Sequence, residues 1–431
     1  METINVAAAF EESTVRKWQV RLVPFLLVIY VVAFVDRTNI GIAALTMNRE
    51  LAIASHQFGL LSGIFFVGYF LFEIPSNYLL HRIGARVWIA RILLSWGILA
   101  ALTGFVQSVP QLYAMRFLLG IAEAGYFPGI ILYLTYWCRQ RELAQTTALL
   151  IAGAPVANIV GAPIGGFILD HTHWWGISSW RWLLVLEGIP AILFGFVTYF
   201  VLPDRPADAR FLNEKERNWL TAEVQREEEH KLNLRRYSVL ETLTNTRVWY
   251  LTLIYFGGMI GGYIFNFWSP QLMALAAPGY SKAGIGVCLM VVNLVGLTAM
   301  ILVSRNSDRN MERRLHTAIP LMAIGIGLLL LSAPRTPFIT VSVLCLVACG
   351  YFGFVSPFWS LPNEFLAGTS AAIGIALINS VGNLGGLAGP YAVGAIGHAT
   401  GNLYLGLALC SIPVLLAGVL VLSLRQSRSD R

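Results

Sequence analysis

The chain has 431 residues, 56% of them hydrophobic and only 12% charged, with a net charge of +7 and a mean hydropathy of +0.66. Soluble domains are roughly a quarter charged, so this composition excludes one. The basic excess collects in loops on one side of the chain's hydrophobic runs and is no evidence for a nucleic-acid partner.

Apolar stretches of ~20 residues, long enough for a ~30 Å hydrocarbon core, recur along the chain. They fall at about 22–43, 57–80, 87–106, 111–133, 145–169, 181–201, 248–272, 283–303, 315–333, 337–358, 370–396 and 401–424. Backbone inside lipid must satisfy its own hydrogen bonds, and segments of this length do so as helices. The first twenty residues are polar and lack the order of a signal peptide, so insertion is expected to use the first membrane helix.

The first run is interrupted by Asp36-Arg37. A charge at bilayer depth costs at least about 2.5 kcal/mol, so such a residue faces a partner or a watery cavity and marks a substrate or proton path. In the second run, Glu73 lies towards one end, where a gate or packing role is expected. The fourth run carries Arg116 and Glu123. At about 1.5 Å per residue, Asp36 and Arg116 lie about 9 and 6 Å inside the same boundary, and Glu123 about 16 Å inside it. Asp36 and Arg116 are therefore expected to pair, leaving Arg37 for a cavity near Glu123. A guanidinium fork suits a carboxylate. An anion that claims Arg37 strips Glu123 of its cation and favours protonation of the acid, so proton and anion bind with reciprocal positive coupling.

After the fifth run, Asp170, His171 and His173 resemble a metal cluster but sit in a Trp-rich loop, where a solvated role is expected. The polar segment 203–247 divides the chain into an N-terminal bundle (1–202) and a C-terminal bundle (248–431). Asn213 can cap a short surface helix over about 214–230, with Glu216 reaching back. Gly125-Tyr126-Phe127 recurs as Gly350-Tyr351-Phe352, and Asn158 and Gly161 recur as Asn383 and Gly386, all at an offset of about 225 residues. Such a repeat implies two six-helix bundles with a site near the midplane between them. Asn158 and Asn383 read as ties between helices rather than ligands.

Arg16, Lys17, Arg82, Arg86, Arg139, Arg141, the basic residues of 205–247, Arg305 to Arg314 and Arg425 to Arg431 share one side. The opposite loops offer little beyond Arg49, Lys282 and Arg335. The positive-inside rule puts both termini in the cytoplasm. Cys138, Cys288, Cys345, Cys349 and Cys410 form no CxxC pair, and no metal or other cofactor is implied.

These features resemble the major facilitator superfamily, and within it the anion:cation symporters that carry sugar acids, tartrate, phthalate and hydroxyphenylacetate. The resemblance spans nearly the whole chain. It rests on Val31 to Gly41 around Asp36-Arg37, Pro75-Ser76-Asn77 running into His81–Arg86, Arg116 to Gly129, Pro357-Phe358-Trp359, and Asn379 to Gly386. The usual acid of the loop after helix two is replaced by His81-Arg82, whereas Asp308 keeps one in the second half.

The resemblance implies an all-α polytopic fold of twelve transmembrane helices in two pseudo-symmetric bundles. It places Tyr69, Trp359 and Asn379 in the substrate cavity beside Arg37, where hydroxyl, indole and amide donors suit a hydroxylated acid. Asp36 and Glu123 are the expected proton-coupling acids, and Arg116 a charge-pairing or gating residue. The expected protein is a monomeric importer of an organic carboxylate, driven by protons, in a bacterial inner membrane. A sugar acid leads among substrates, with tartrate-like or aromatic acids next and an uncoupled uniporter as the rival. No phosphate-binding glycine loop or catalytic domain supports an enzyme.

Overall fold

The computed structural model describes residues 2–232, 243–365 and 369–424. Three helices, α1 (Glu2–Glu50), α2 (Ser55–Ile83) and α3 (Ala85–Thr103), each cross once. The fourth crossing is divided into α4 (Val109–Glu123) and α5 (Tyr126–Thr135), and the fifth into α6 (Gln140–Ile151) and α7 (Gly153–His171). The sixth is α8 (Ser179–Val201), after which α9 (Glu214–Leu232) occupies the polar segment. The second half contains α10 (Thr246–Ala276), α11 (Lys282–Asn310), α12 (Arg314–Leu330), α13 (Pro337–Phe365), the pair α14 (Thr369–Asn383) and α15 (Gly385–Thr400), and α16 (Leu403–Ser423). Among the described residues, ten helical spans are long and apolar enough to cross a bilayer. With the shorter α12 and the α14–α15 pair they make up the twelve-crossing fold.

The break after α4 has a local cause. Gly125 has φ +79°, and a Cβ there would meet the Ser76 side chain of α2 at 2.5 Å. Only glycine suits both demands. The break leaves Glu123 as the last residue of α4, at the level of the cavity between the halves.

The polar start of the chain is not a tail but a continuation of the first membrane helix. Its exposed turns pack on α9 at what is called here the linker face: Lys17 Nζ lies 2.5 Å from Glu216, and the Phe10 ring lies 6.0 Å from Trp219. Arg139 joins Glu11 at 3.1 Å and Glu142 at 2.7 Å. Asn213 and Glu216 exchange reciprocal bonds of 2.9 and 2.8 Å at the start of α9. Partial burial would raise the Glu216 carboxyl, but Lys17 and the Asn213 amide hold it below its usual range. In the loop after α2, Asp204 supplies the missing acid by accepting from the Arg86 amide at 2.8 Å. Its second-half counterpart keeps an Arg313–Asp308 pair at 2.5 Å.

At the opposite, far face the halves meet backbone to backbone. Gly59 and Gly63 of α2 lie against Pro390 and Leu387 of α15, and Gly166 of α7 lies against the Lys282 carbonyl of α11. Small residues permit this approach where lipid gives no hydrophobic drive. Ser55 Oγ donates to the Gly394 carbonyl at 3.1 Å. Asp170 departs from the solvated-loop expectation. Its carboxylate accepts from the Lys282 and Ala283 amides at 3.2 and 2.8 Å, capping α11 across the interface. Free amides at a helix start attract an anion, which explains the choice of partner. His171 and His173 remain exposed.

A side chain at Gly394 would run into the Ser55 carbonyl. Gly394→Leu is therefore expected to disfavour far-face closure by about 1–3 kcal/mol, or about ten- to a hundredfold in population. A cysteine placed at Asn266 should then react with an impermeant thiol reagent from that face. An unreactive cysteine with normal uptake would contradict this gate.

Candidate functional site

Between the halves lies a cavity of about 740 Å³, part of it open to solvent, whose lining includes Tyr30, Arg37, Tyr69, Tyr263, Trp359 and Asn379. The four residues the sequence places in a substrate cavity thus share one space. Trp359 packs edge-on against Tyr255, ring centres 4.9 Å apart.

Arg37 Nη2 donates to Glu123 Oε1 in an ion pair whose carboxylate side chain is fully buried. Aromatic rings enclose the guanidinium, with Phe65 at 5.3 Å, Tyr69 at 5.4 Å and Phe34 at 5.9 Å from its central carbon. Such faces hold a cation without neutralising it. The pair is not saturated: Arg37 Nε and Glu123 Oε2 are buried with no hydrogen-bond partner among the described residues. The spare donor and the spare acceptor leave room for an incoming group to rearrange the pair.

The Asp36–Arg116 pair expected from depth does not form. Asp36 instead accepts from Asn39 Nδ2 at 3.0 Å and from the Trp96 indole. Arg116, equally buried, sits over the Phe65 ring at 5.3 Å and donates to the Arg37 carbonyl at 3.5 Å. Equal depth was the wrong criterion, because azimuth around the helix axis decides which side chains meet. The charges still act on one another through the apolar interior.

A polar chain crosses from this pair into the second half. Tyr263 Oη, beside Arg37, donates to Asn383 Oδ1 at 3.2 Å. Asn383 Nδ2 donates to Asn379 Oδ1 at 3.1 Å, and Asn379 Nδ2 to Glu73 Oε1 at 3.2 Å. Ser380 Oγ completes it by donating to Glu73 Oε2 at 2.6 Å. Glu73 thereby ties the halves together on the linker side of the cavity. This closure is built from side chains, whereas the far face is closed by backbone packing. Asn158 ties the halves on the far side, donating to Asn266 at 2.9 Å and Asn293 at 3.2 Å.

Several contributors went unread in the sequence. Tyr30 and Tyr263 look like ordinary aromatics in apolar runs, and nothing in their spacing distinguishes them. Glu187 is different: it is an acid inside the apolar run of α8, and like Asp36 it is marked by its charge at bilayer depth.

Residues 26–390 match the model of the Major Facilitator Superfamily. A putative tartrate transporter of Agrobacterium vitis is 43% identical over 413 residues, covering 96% of this chain and 93% of that protein. A quinolone resistance transporter of Acinetobacter baumannii is 36% identical over 423 residues, covering 98% and 97%. The partially occluded inward-open structure of the xylose transporter XylE from E. coli shares the fold, with a TM-score of 0.75 at 15% identity over 96% of this chain and 99% of that one. The match across most of the chain, with the twelve-crossing architecture, establishes that the chain belongs to the Major Facilitator Superfamily and is a multi-pass membrane transporter.

Proposed function

We propose that the protein imports a small hydroxylated organic acid anion together with protons, by alternating access at the cavity between its halves. The observation that carries this reading is the unsaturated Arg37–Glu123 pair, whose Arg37 lines a cavity together with tyrosine and asparagine side chains. Arg37 offers the fork that fits a carboxylate. Tyr69, Asn379 and Trp359 supply donors for hydroxyl groups. When the substrate carboxylate takes Arg37, Glu123 is left as a buried acid without its cation and holds a proton instead. Release of the anion on the other side restores the pair and expels the proton. Asp36, beside Arg116 and held by Trp96, is the second proton-coupling acid.

Names of relatives support an acid but do not select one. Tartrate appears in one name and a quinolone in another, so the site chemistry carries the class. Tartrate and sugar acids share the carboxylate and hydroxyl pattern that this cavity serves. Residues 1–202 and 248–431 are the two moving bundles, 203–247 is the cytoplasmic linker, and the working unit is a monomer in a bacterial inner membrane. The linker face, with its basic loops, is the cytoplasmic one.

Sidedness is tested by labelling single cysteines in a background without the five native ones. An impermeant reagent added outside is expected to modify a cysteine at Ser178 and to miss one at Gln225. The reverse pattern overturns the orientation and, with it, the direction of import. Transport itself is tested in proteoliposomes with labelled tartrate and a labelled aldonate. Saturable uptake of neither, with uptake of a non-carboxylate cargo, would sink the substrate class.

A further inference from the structure

A second polar cavity of about 450 Å³ lies on the far side of the Asp36 region, lined by Thr38, Asn39, Asn158, Glu187, Asn266 and Asn293 among others. Nothing in the transport scheme above uses Glu187. Its Oε2 is sealed from solvent and has no hydrogen-bond partner among the described residues. The Asn39 amide bonds Asp36 Oδ1 at 3.0 Å and lines the same cavity as Glu187. Asn39 is 4% exposed, and its Oδ1 is likewise unpartnered in this cavity.

The helices packed on α8 are α3, α1 and α7. From α1, Asn39 shares the cavity with Glu187, and Asp36 is the charged group of that helix that acts on it. Glu187 Oε1 lies 3.8 Å from where a Cβ would stand on Gly165 of α7, and α3 presents the uncharged Trp96 to the same Asp36. Arg37 is taken by Glu123, and Arg116 lies at Phe65 and the Arg37 carbonyl. No cation lies within ion-pair distance of Glu187 among the described residues. A lone carboxylate anion at this depth is costly, and two neighbouring acids away from bulk water hold a proton between them rather than ionise together.

We propose that Glu187 and Asp36 form the far-face arm of the proton path, with Glu187 receiving the proton from the far-face cavity and Asp36 passing it towards the Arg37–Glu123 pair. This rests on the proton-symport reading. Asn39 is a positioning residue: it holds the two carboxyl groups in one site and carries no proton itself. The amide cluster of Asn158, Asn266 and Asn293 closes this arm to the far face in the present conformation. Parting of the halves breaks that cluster and admits water to Glu187.

The test is Glu187→Gln in proteoliposomes with labelled tartrate and labelled aldonate as probes. Exchange of substrate across the membrane needs no net proton movement, so it should persist and show that the variant is folded. Accumulation driven by an inward proton gradient should fall to the level of exchange, and the dependence of uptake on far-face pH should flatten. Glu187→Asp, which keeps an acid, should restore both.

A wild type that ignores the proton gradient overturns the symport reading itself. A wild type that responds, beside a Glu187→Gln variant that responds equally, overturns the proton arm alone. If Glu187→Gln fails to fold, the carbonyl-stretch band of a protonated carboxyl decides in purified wild type and Glu187→Asp. A band that titrates and is displaced by the substitution supports the assignment, and the absence of such a band, or one unmoved by the substitution, contradicts it.

Discussion

Arg37→Lys is expected to weaken substrate binding by about ten- to a hundredfold although the charge is kept, since a charge-assisted hydrogen bond contributes about 1.5–3 kcal/mol. The guanidinium bonds Glu123 while Phe34, Phe65 and Tyr69 surround it. A lysine ammonium is a compact, strongly hydrated charge that cannot present two parallel donors to one carboxylate, and it suits the aromatic enclosure poorly. It can still neutralise Glu123, so the fold should survive. The check is the concentration dependence of exchange in proteoliposomes, which reads affinity without needing a proton gradient. Wild-type affinity in the lysine variant would make Arg37 a structural residue and move anion binding to the second half.

Glu123→Gln should abolish concentrative uptake while leaving exchange in place. Glutamine matches the protonated acid in shape and keeps an acceptor for Arg37, but it cannot titrate. The variant therefore mimics the form that substrate binding favours, and it moves substrate in both directions without moving a proton. Removing the acid also frees Arg37 from its ion pair, so apparent affinity should hold or rise. The measurement is paired: substrate-induced proton influx and the steady-state accumulation ratio. Accumulation that still follows the pH gradient would remove Glu123 from the coupling role and leave Asp36 as the first candidate. Asp36→Asn is a less clean probe, because Trp96 and Asn39 donate to different oxygens of Asp36 and an amide, with one acceptor oxygen, sets its NH2 against one of them.

The sequence was most legible where one physical rule dominates. Lipid demands internally bonded segments of fixed length, so the twelve crossings could be counted from apolar runs. The run at 370–396 was readable even though its helix is divided between Asn383 and Gly385. Charge at depth pointed to Arg37 for the same reason, whereas Tyr69, Trp359 and Asn379 came from the family resemblance; all four line one space. What depth cannot supply is direction around the helix. Asp36 and Arg37 are adjacent and therefore point about 100° apart: one meets α3 at Trp96 and the other meets α4 at Glu123.

Contacts between distant segments were less legible still. Glu73 meets Asn379 and Ser380 across a separation of some three hundred residues. Asp170, which looks like a loop residue beside two histidines, finds its partners at the start of α11. The repeat did carry information here. Asn158 and Asn383 are equivalent by the common offset: Asn158 bonds across the halves to Asn266 and Asn293, and Asn383 bonds Tyr263 of a neighbouring helix in its own half. Reading them as ties between helices was right for Asn158, while Asn383 also lines the cavity beside Arg37.

The central claim is that an organic acid anion and a proton cross together through the Arg37–Glu123 site. The most direct measurement is uptake of labelled tartrate and labelled aldonate into proteoliposomes containing the intact protein, with and without an inward proton gradient, read alongside internal pH. Accumulation above the external concentration is expected only when the gradient is present, with proton influx that starts on adding substrate and is absent in Glu123→Gln. Equilibration that stops at the external concentration whatever the gradient, with no proton influx on adding substrate, would contradict the claim and describe a uniporter.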